Sequence, residues 1–270
     1  MRLFVGCFLA VIWYTLGMLV LCGLAVEGCY RLCFRLIGRR QGRALWFATS
    51  FLGTPVHELG HAAMCLLFGH RIEKIRLFPN RRGVALVQHT YNRKNPWATM
   101  GNLFIGIGPI LAGLAVMLAI LALIYPASLQ AFHAAEGGGM GTIEALFNRI
   151  WQLFRGLLWE ETRPVWARIV AVILLLCVAL HVRLSTADLR GMQRGLPIYL
   201  ILCALLSAVV AIMGQGAYDL LVAGLASFGS TVLMLFGIIL LFALVQLVLV
   251  LIYRMLAILF TILFARSPSR

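Results

Sequence analysis

Long apolar runs dominate this sequence, and they determine whether water or lipid surrounds most of the fold. Runs of about 20 residues are separated by short segments that hold most of the charge, and a helix of that length crosses a bilayer. Only 12% of the residues are charged, too few to cover a soluble domain. We therefore expect an all-α polytopic membrane protein with about six transmembrane helices. The expected spans lie near 3–26, 44–69, 97–125, 165–184, 196–214 and 230–264.

The chain divides into three predicted parts. Residues 1–43 form an N-terminal anchor and a basic interfacial segment, because the first apolar run is too long for a signal peptide and is expected to be retained. Residues 44–214 form a membrane core, and residues 215–270 an interfacial piece followed by a long span, with a break at Gly229-Ser230. No soluble accessory domain is expected.

The basic residues indicate the orientation in the membrane. The net charge is +14, but the basic residues cluster beside spans, so topology and anionic lipid explain them better than nucleic acid does. We expect the basic segments 70–96 and 183–194 and both termini in the cytoplasm of a bacterium, with the chain in its inner membrane. The connector 126–162 is then outside. Five arginines in 27–43 do not fit strict alternation, so either this segment lies flat as an interfacial helix or the following span is broken.

The segment "TPVHELGHAAMCLLFGH" (54–70) places ionisable groups inside an apolar run. Residues four apart share a helix face, so His57 and His61 can direct nitrogen lone pairs at one metal ion, with Glu58 beside them. This H-E-x-x-H spacing is typical of zinc hydrolases, in which Zn²⁺ acidifies a water and the glutamate takes its proton. A chance copy is the alternative, but buried charge in a membrane is expensive and usually functional. Thr54 and Pro55 suit the first positions of a helix, so we expect the helix to begin here.

Catalytic zinc normally has three protein ligands, so a third is needed. We favour Asp188, because it follows the fourth span at the membrane level that His61 reaches. Its alternative role is a helix cap or a partner for a nearby arginine. His181 is second choice, and His70 is excluded because a straight helix holds it about 20 Å from His57. The remaining candidates are His89, His133, Glu73 and Asp219.

Residues 71–91 predict a β-hairpin. Two β-branched and apolar runs, 72–78 and 84–91, flank the turn-rich sequence 79–83. An exposed strand edge can hold an unwound substrate, so the edge between Arg71 and Tyr91 is a candidate substrate-binding surface. A solvated hairpin held to anionic lipid is an equal alternative. Further along, 141–159 has the aromatic pattern of an interfacial helix.

The cysteines give no strong signal. Five of the seven lie in apolar runs, where a thiol acts as a small hydrophobic group. Cys65 is one of these. Cys29 and Cys33 are four residues apart, but no second pair accompanies them to complete a zinc site.

Taken together, four features resemble the site-two protease family of intramembrane zinc metalloproteases. They are the membrane-embedded HELGH, the basic strand-like segment after it, the Gly/Pro-bearing "GNLFIGIGPILAG" (101–113), and an Asp-x-x-Gly turn after a later span. The similarity covers roughly 44–195. It implies that His57, His61 and Asp188 hold Zn²⁺ and that Glu58 is the catalytic base. The family's aspartate usually lies in an Asn-Pro-Asp-Gly-like or Leu-Asp-Gly-like signature, whereas this chain has "STADLRG" (185–191).

The expected function is therefore hydrolysis of a peptide bond in or near the transmembrane segment of a membrane protein. A non-catalytic zinc scaffold or transporter is one alternative, but a transport path needs polar residues along several spans, and the spans are nearly bare of them. A membrane zinc peptidase acting outside the bilayer is the other. That class would normally carry a soluble domain and a third glutamate or histidine ligand. The sequence makes no prediction of the oligomeric state.

Overall fold

The computed structural model describes residues 1–79, 85–126, 130, 148, 151–152, 155–156, 159 and 164–264, without the side chains of 39–45, 257 and 261–264. The described chain is mostly helical. Its elements are α1 (Arg2–Ile12), a π-helical segment (Trp13–Gly17), α2 (Met18–Ile37), α3 (Arg39–Leu67), β1 (Arg71–Arg76), β2 (Leu86–Thr90), α4 (Pro96–Ile124), α5 (Val165–Ala179), α6 (Thr186–Met192), α7 (Leu196–Met213) and α8 (Gln215–Phe264).

The first helix is longer than the sequence predicts. α1, the π-helical segment and α2 run on as one helix, Arg2–Ile37. The chain then reverses at Gly38, whose φ of 89° suits glycine, and α3 begins at the next residue. Residues 27–37 therefore complete the first helix, and no separate interfacial helix lies between it and α3.

The expected helix start at Thr54-Pro55 is wrong. α3 begins at Arg39 and continues through Pro55 to Leu67. The turn before the proline is held by close packing on α5, because a Cβ on Gly53 would lie 2.3 Å from the carbonyl oxygen of Cys177. Pro55 is tolerated inside a helix when neighbouring elements fix the backbone in this way.

The predicted hairpin after α3, the helix that carries HELGH, is confirmed. β1 and β2 pair antiparallel, with Ile75 opposite Val87 and an irregularity between Ile72 and Lys74. The predicted turn falls largely on residues 80–84, which lie outside the described residues, as does most of the predicted helix 141–159.

Four helices of the described chain are long and apolar enough to cross a membrane: Arg2–Ile37, Pro96–Ile124, Leu196–Met213 and Gln215–Phe260. α5 is apolar but shorter, and the predicted count of six spans is not confirmed. The predicted break at Gly229-Ser230 is absent, since α8 is continuous there. Gly229 instead makes room for the first helix, because a Cβ at this position would lie 2.6 Å from Tyr14.

Candidate metal centre

His57, His61 and Asp188 come together, as the sequence predicts. One ligand atom from each lies within 4.8 Å of the others. The two imidazole rings are 5.1 Å apart and nearly perpendicular, and His61 Nε2 lies 3.4 Å from Asp188 Oδ1. The structure therefore assembles two nitrogen donors and one oxygen donor around one point.

Backbone carbonyls fix the orientation of both imidazoles. His57 Nδ1 donates to the carbonyl of His181 at 2.9 Å, and His61 Nδ1 donates to the carbonyl of Ile105 at 2.7 Å. A neutral imidazole that donates from Nδ1 has its lone pair on Nε2. Both Nε2 atoms are thus acceptors, which is the usual arrangement of histidines that bind metal.

Asp188 has two roles, and the alternative role considered from sequence is one of them. Its Oδ2 accepts from the backbone N–H of Ser185 at 2.9 Å, and its own N–H donates to Ser185 Oγ at 3.1 Å. This reciprocal pair is a capping box at the start of α6. Because the cap uses Oδ2, Oδ1 is the oxygen that faces His61.

Two glycines of α4 allow the three donor residues to meet. A Cβ on Gly108 would lie 2.6 Å from the carbonyl oxygen of Gly60, so α3 and α4 touch backbone to backbone inside the HELGH motif. A Cβ on Gly106 would lie 2.3 Å from Met192 and 3.0 Å from the carbonyl oxygen of Asp188 on α6. Residues two apart point to nearly opposite sides of a helix, so α4 packs on α3 with one side and on α6 with the other.

A cavity of about 490 Å³ opens beside the donor atoms. Glu58 lies in its wall and is only 7% exposed. β2 contributes Leu86, Val87 and His89 to the same wall, and α4 contributes Asn102. The predicted base and one strand of the hairpin therefore border one space.

The other candidates for a third ligand lie elsewhere or make other contacts. His181 borders the cavity, but its Nδ1 donates to the carbonyl of Cys177 at 3.0 Å and it is not part of the three-residue group. Glu73 is exposed and accepts from Thr90, and Asp219 accepts from Gln215 at the start of α8. His133 lies outside the described residues.

His70 is not part of the group formed by His57, His61 and Asp188. It lies beyond the end of α3 at Leu67 and the turn at Gly69, so it does not end that helix as the sequence argument assumed. Its Nδ1 lies 2.9 Å from His89 Nδ1 on β2. Burial, with smaller contributions from His70 and His61, lowers the pKa of His89 below its ordinary value. This shift favours the neutral form of His89.

An ion network around the buried Glu27 lies next to the cavity, and no sequence pattern predicted it. Glu27, at 8% exposure, accepts from Arg31 at 2.7 Å and from Arg183 at 3.1 Å. Arg183 also lies over the ring of Tyr30, 4.4 Å from its centre, and borders the cavity. Through Glu27 and Tyr30, Arg183 links α2 to the segment that leads into α6. Glu27 and Arg183 are 156 residues apart, and no pattern in a single sequence indicates that two such distant residues form an ion pair.

Residues 34–135 match the protein-family model described as Peptidase M50B-like. This match confirms the resemblance to the site-two protease family. No curated protein and no solved structure matches the chain. The matched residues include the HELGH motif, the hairpin and α4, and they end before Asp188. The approach of Asp188 to the histidines is therefore a structural observation that does not depend on the family match. The match and the four apolar helices together support an integral membrane protein that is similar to a family of membrane metallopeptidases.

The donor set fits the metal that the site-two protease family implies. Two imidazole nitrogens and one carboxylate oxygen are ligands that zinc takes in catalytic sites, where three protein ligands leave one position open. The carbonyl partners of both Nδ1 atoms already fix the tautomers that ligation needs.

Proposed function

We propose that this protein is an intramembrane zinc metalloprotease that hydrolyses a peptide bond in or near the transmembrane segment of a membrane protein. One observation carries the proposal: Glu58 lines the same cavity as the converging donors of His57, His61 and Asp188. A scaffold or transporter would use the donors but would not need a buried carboxylate beside them.

His57, His61 and Asp188 are the residues that would hold the zinc ion. When bound, Zn²⁺ supplies Lewis-acid chemistry, lowering the pKa of water and polarising a carbonyl group. The chain's own contribution is to hold the three ligands in place. The carbonyls of His181 and Ile105 orient the imidazoles, and the capping box with Ser185 orients the carboxylate.

Glu58 is the proposed general base and acid. Its carboxylate would take the proton from the attacking water as oxygen adds to the peptide carbonyl, and would then give that proton to the departing amine. His57 and His61 lie on either side of Glu58 in the sequence, so α3 positions two of the proposed zinc ligands together with the proposed base. The cavity wall excludes bulk water from most of the Glu58 side chain.

β2 is the proposed substrate-binding strand. A transmembrane helix has its backbone groups paired internally, so it must unwind before a peptide bond becomes accessible. An unwound segment could then lie extended beside a strand edge. Leu86 and Val87 place β2 at the cavity that contains Glu58, which supports this role over that of a hairpin held only to lipid.

The basic side of the membrane is the proposed site of water entry. The hairpin carries Arg71, Lys74 and Arg76, and Arg183 borders the cavity. By the positive-inside rule these segments lie in the cytoplasm. We further propose the inner membrane of a bacterium as the location.

The experiment that tests this function compares new protein N-termini in membranes that contain the full chain with and without zinc. Purified protein is stripped with a chelator, reloaded with Zn²⁺ or left empty, and reconstituted with a bacterial membrane protein extract. We expect new N-termini in or beside apolar segments only after zinc is restored. Equal cleavage by the stripped and reloaded protein would refute the zinc-dependent mechanism.

A further inference from the structure

A second group of metal-binding side chains lies at the end of α3. Cys65, His70 and His89 each place one ligand atom within 4.8 Å of the other two. Cys65 is fully buried and His70 is 4% exposed, while His89 is partly exposed on β2. None of the three belongs to the group formed by His57, His61 and Asp188.

The end of α3 explains how Cys65 and His70 meet. Cys65 follows His61 by four residues, so it lies on the same helix face one turn further on, about 6 Å along the axis. The helix ends at Leu67, and Gly69 adopts a φ of 69°. This turn brings the chain back, so that the N–H of His70 donates to the carbonyl of Cys65 at 2.8 Å.

The hairpin supplies the third group. Residue His89 pairs with Ile72 across the sheet, close to the start of β1. Because β1 follows α3 closely and β2 pairs with β1, His89 on β2 lies near the end of that helix. Tyr91 stacks on the His70 ring at 4.7 Å between ring centres and limits its rotation.

The hydrogen bonds determine which nitrogen of His70 is an electron-pair donor. His70 Nε2 donates to the carbonyl of Ala98 at 2.7 Å, so the lone pair of the neutral ring is on Nδ1. His70 Nδ1 and His89 Nδ1 are 2.9 Å apart. A histidine that gives one N–H to a backbone carbonyl and turns the other nitrogen towards a thiol and a second imidazole has the usual environment of a metal ligand.

We propose that Cys65 Sγ, His70 Nδ1 and His89 Nδ1 form a second zinc site. A thiolate with two imidazoles is a donor set that Zn²⁺ favours, and a water or other small ligand would complete a tetrahedron. On binding, the Cys65 thiol releases its proton to solvent. His89 transfers its ring proton from Nδ1 to Nε2, so that Nδ1 becomes free to ligate. His89 borders the cavity, which gives the ion a path to the site.

A metal held by these three residues joins β2 to the end of α3. It would fix the hairpin against the helix that carries the HELGH motif. The site itself does not depend on the proposed proteolysis. The competing account is a neutral His70–His89 hydrogen bond beside a buried thiol that only fills space.

Cobalt substitution distinguishes the two accounts. Co²⁺ is added to the purified full chain in detergent, and the absorption of a thiolate bound to Co²⁺ is recorded together with the metal content. We expect two metal ions per chain and a thiolate-to-cobalt absorption band. Cys65→Ser should abolish the band and reduce the content to one ion, whereas Cys22→Ser, which alters a cysteine on α2, should change neither.

Absence of the thiolate band from the unaltered protein would overturn the proposal, and this result does not depend on any variant folding. A band that survives Cys65→Ser would overturn it as well. His89→Gln provides a second variant on the hairpin and should also reduce the content to one ion. Asp188→Ala should lose the other ion and keep the band, so failure of the first site and failure of the second give different results.

Discussion

Asp188 Oδ1 lies 3.4 Å from His61 Nε2, while Oδ2 of the same carboxylate caps α6 through Ser185. One side chain therefore starts a helix and completes a metal-binding set. The two roles are coupled, because the cap fixes the rotation of the carboxylate and so determines which oxygen faces the histidine.

Substitutions at Asp188 and Ser185 separate the two roles. Asp188→Asn retains an oxygen for the cap but removes the charge, and we expect zinc affinity to fall by more than about 100-fold, since loss of an outer-shell partner alone costs about 10–100-fold. Ser185→Ala removes the hydroxyl cap and should lower the free energy of unfolding by about 0.5–2 kcal/mol while the site still binds zinc. Isothermal titration with Zn²⁺ measures the affinities. Unchanged affinity in Asp188→Asn would exclude this carboxylate as a ligand.

Gly108 should tolerate no side chain. An alanine Cβ there would lie 2.6 Å from the Gly60 carbonyl oxygen, so Gly108→Ala must separate α3 from α4. We expect a loss of about 1–3 kcal/mol, seen as a lower melting temperature in detergent, together with weaker zinc binding. Gly224→Ala is the control, because that position on α8 has nothing within 4 Å. Equal melting temperatures for both variants would contradict the close helix contact.

Glu27 should affect both stability and metal binding. Glu27→Gln leaves Arg183 without its charged partner beside the cavity, and we expect a loss of about 1–3 kcal/mol. The uncompensated positive charge should also weaken Zn²⁺ binding. Arg31→Gln removes the other partner of Glu27, which is 54% exposed, and should cost less than about 1 kcal/mol. Thermal melting and zinc titration measure both effects for the two variants. A larger loss from Arg31→Gln than from Glu27→Gln would contradict the importance of the Glu27–Arg183 pair.

Val87 should influence substrate binding more than turnover. Val87→Asp puts a charge into the apolar part of the cavity wall on β2, and we expect KM to rise at least about tenfold with a smaller change in kcat. Gln88→Asp adds the same charge to the adjacent, exposed position of the strand. Kinetics with a membrane peptide cleaved by the unaltered protein provide the comparison. Equal KM values for the two variants would assign the hairpin to lipid contact instead.

Local patterns predicted the parts of the site that lie on one element. The H-E-x-x-H spacing placed His57 and His61 on one helix face with Glu58 on the adjoining face, and two β-branched and apolar runs around a turn-rich sequence predicted the hairpin. These signals come from residues that are close in the chain, so they are visible in any single sequence. Asp188 was found by matching membrane levels, a longer-range argument that the geometry now supports.

Tertiary packing determined the features that the sequence did not reveal. Thr and Pro are favoured at the first positions of a helix, yet contacts at Gly53 keep α3 continuous through Thr54 and Pro55. A glycine followed by a serine often marks a helix break, yet α8 is continuous at Gly229 and contacts the first helix there. Cys65 was read as an apolar filler because its neighbours His70 and His89 reach it only through the turn at the end of α3 and the pairing of the hairpin.

Glu58 is the residue on which the proposed reaction depends, and Glu58→Gln is its most direct test. The matched control is Glu73→Gln, which makes the same change at an exposed position on β1. Both variants are reloaded with Zn²⁺, their zinc content is measured, and the new N-termini in reconstituted membranes are counted. We expect Glu58→Gln to retain zinc and to lose cleavage by at least about 100-fold, while Glu73→Gln cleaves normally. Undiminished cleavage by zinc-loaded Glu58→Gln would contradict the proposed role of Glu58.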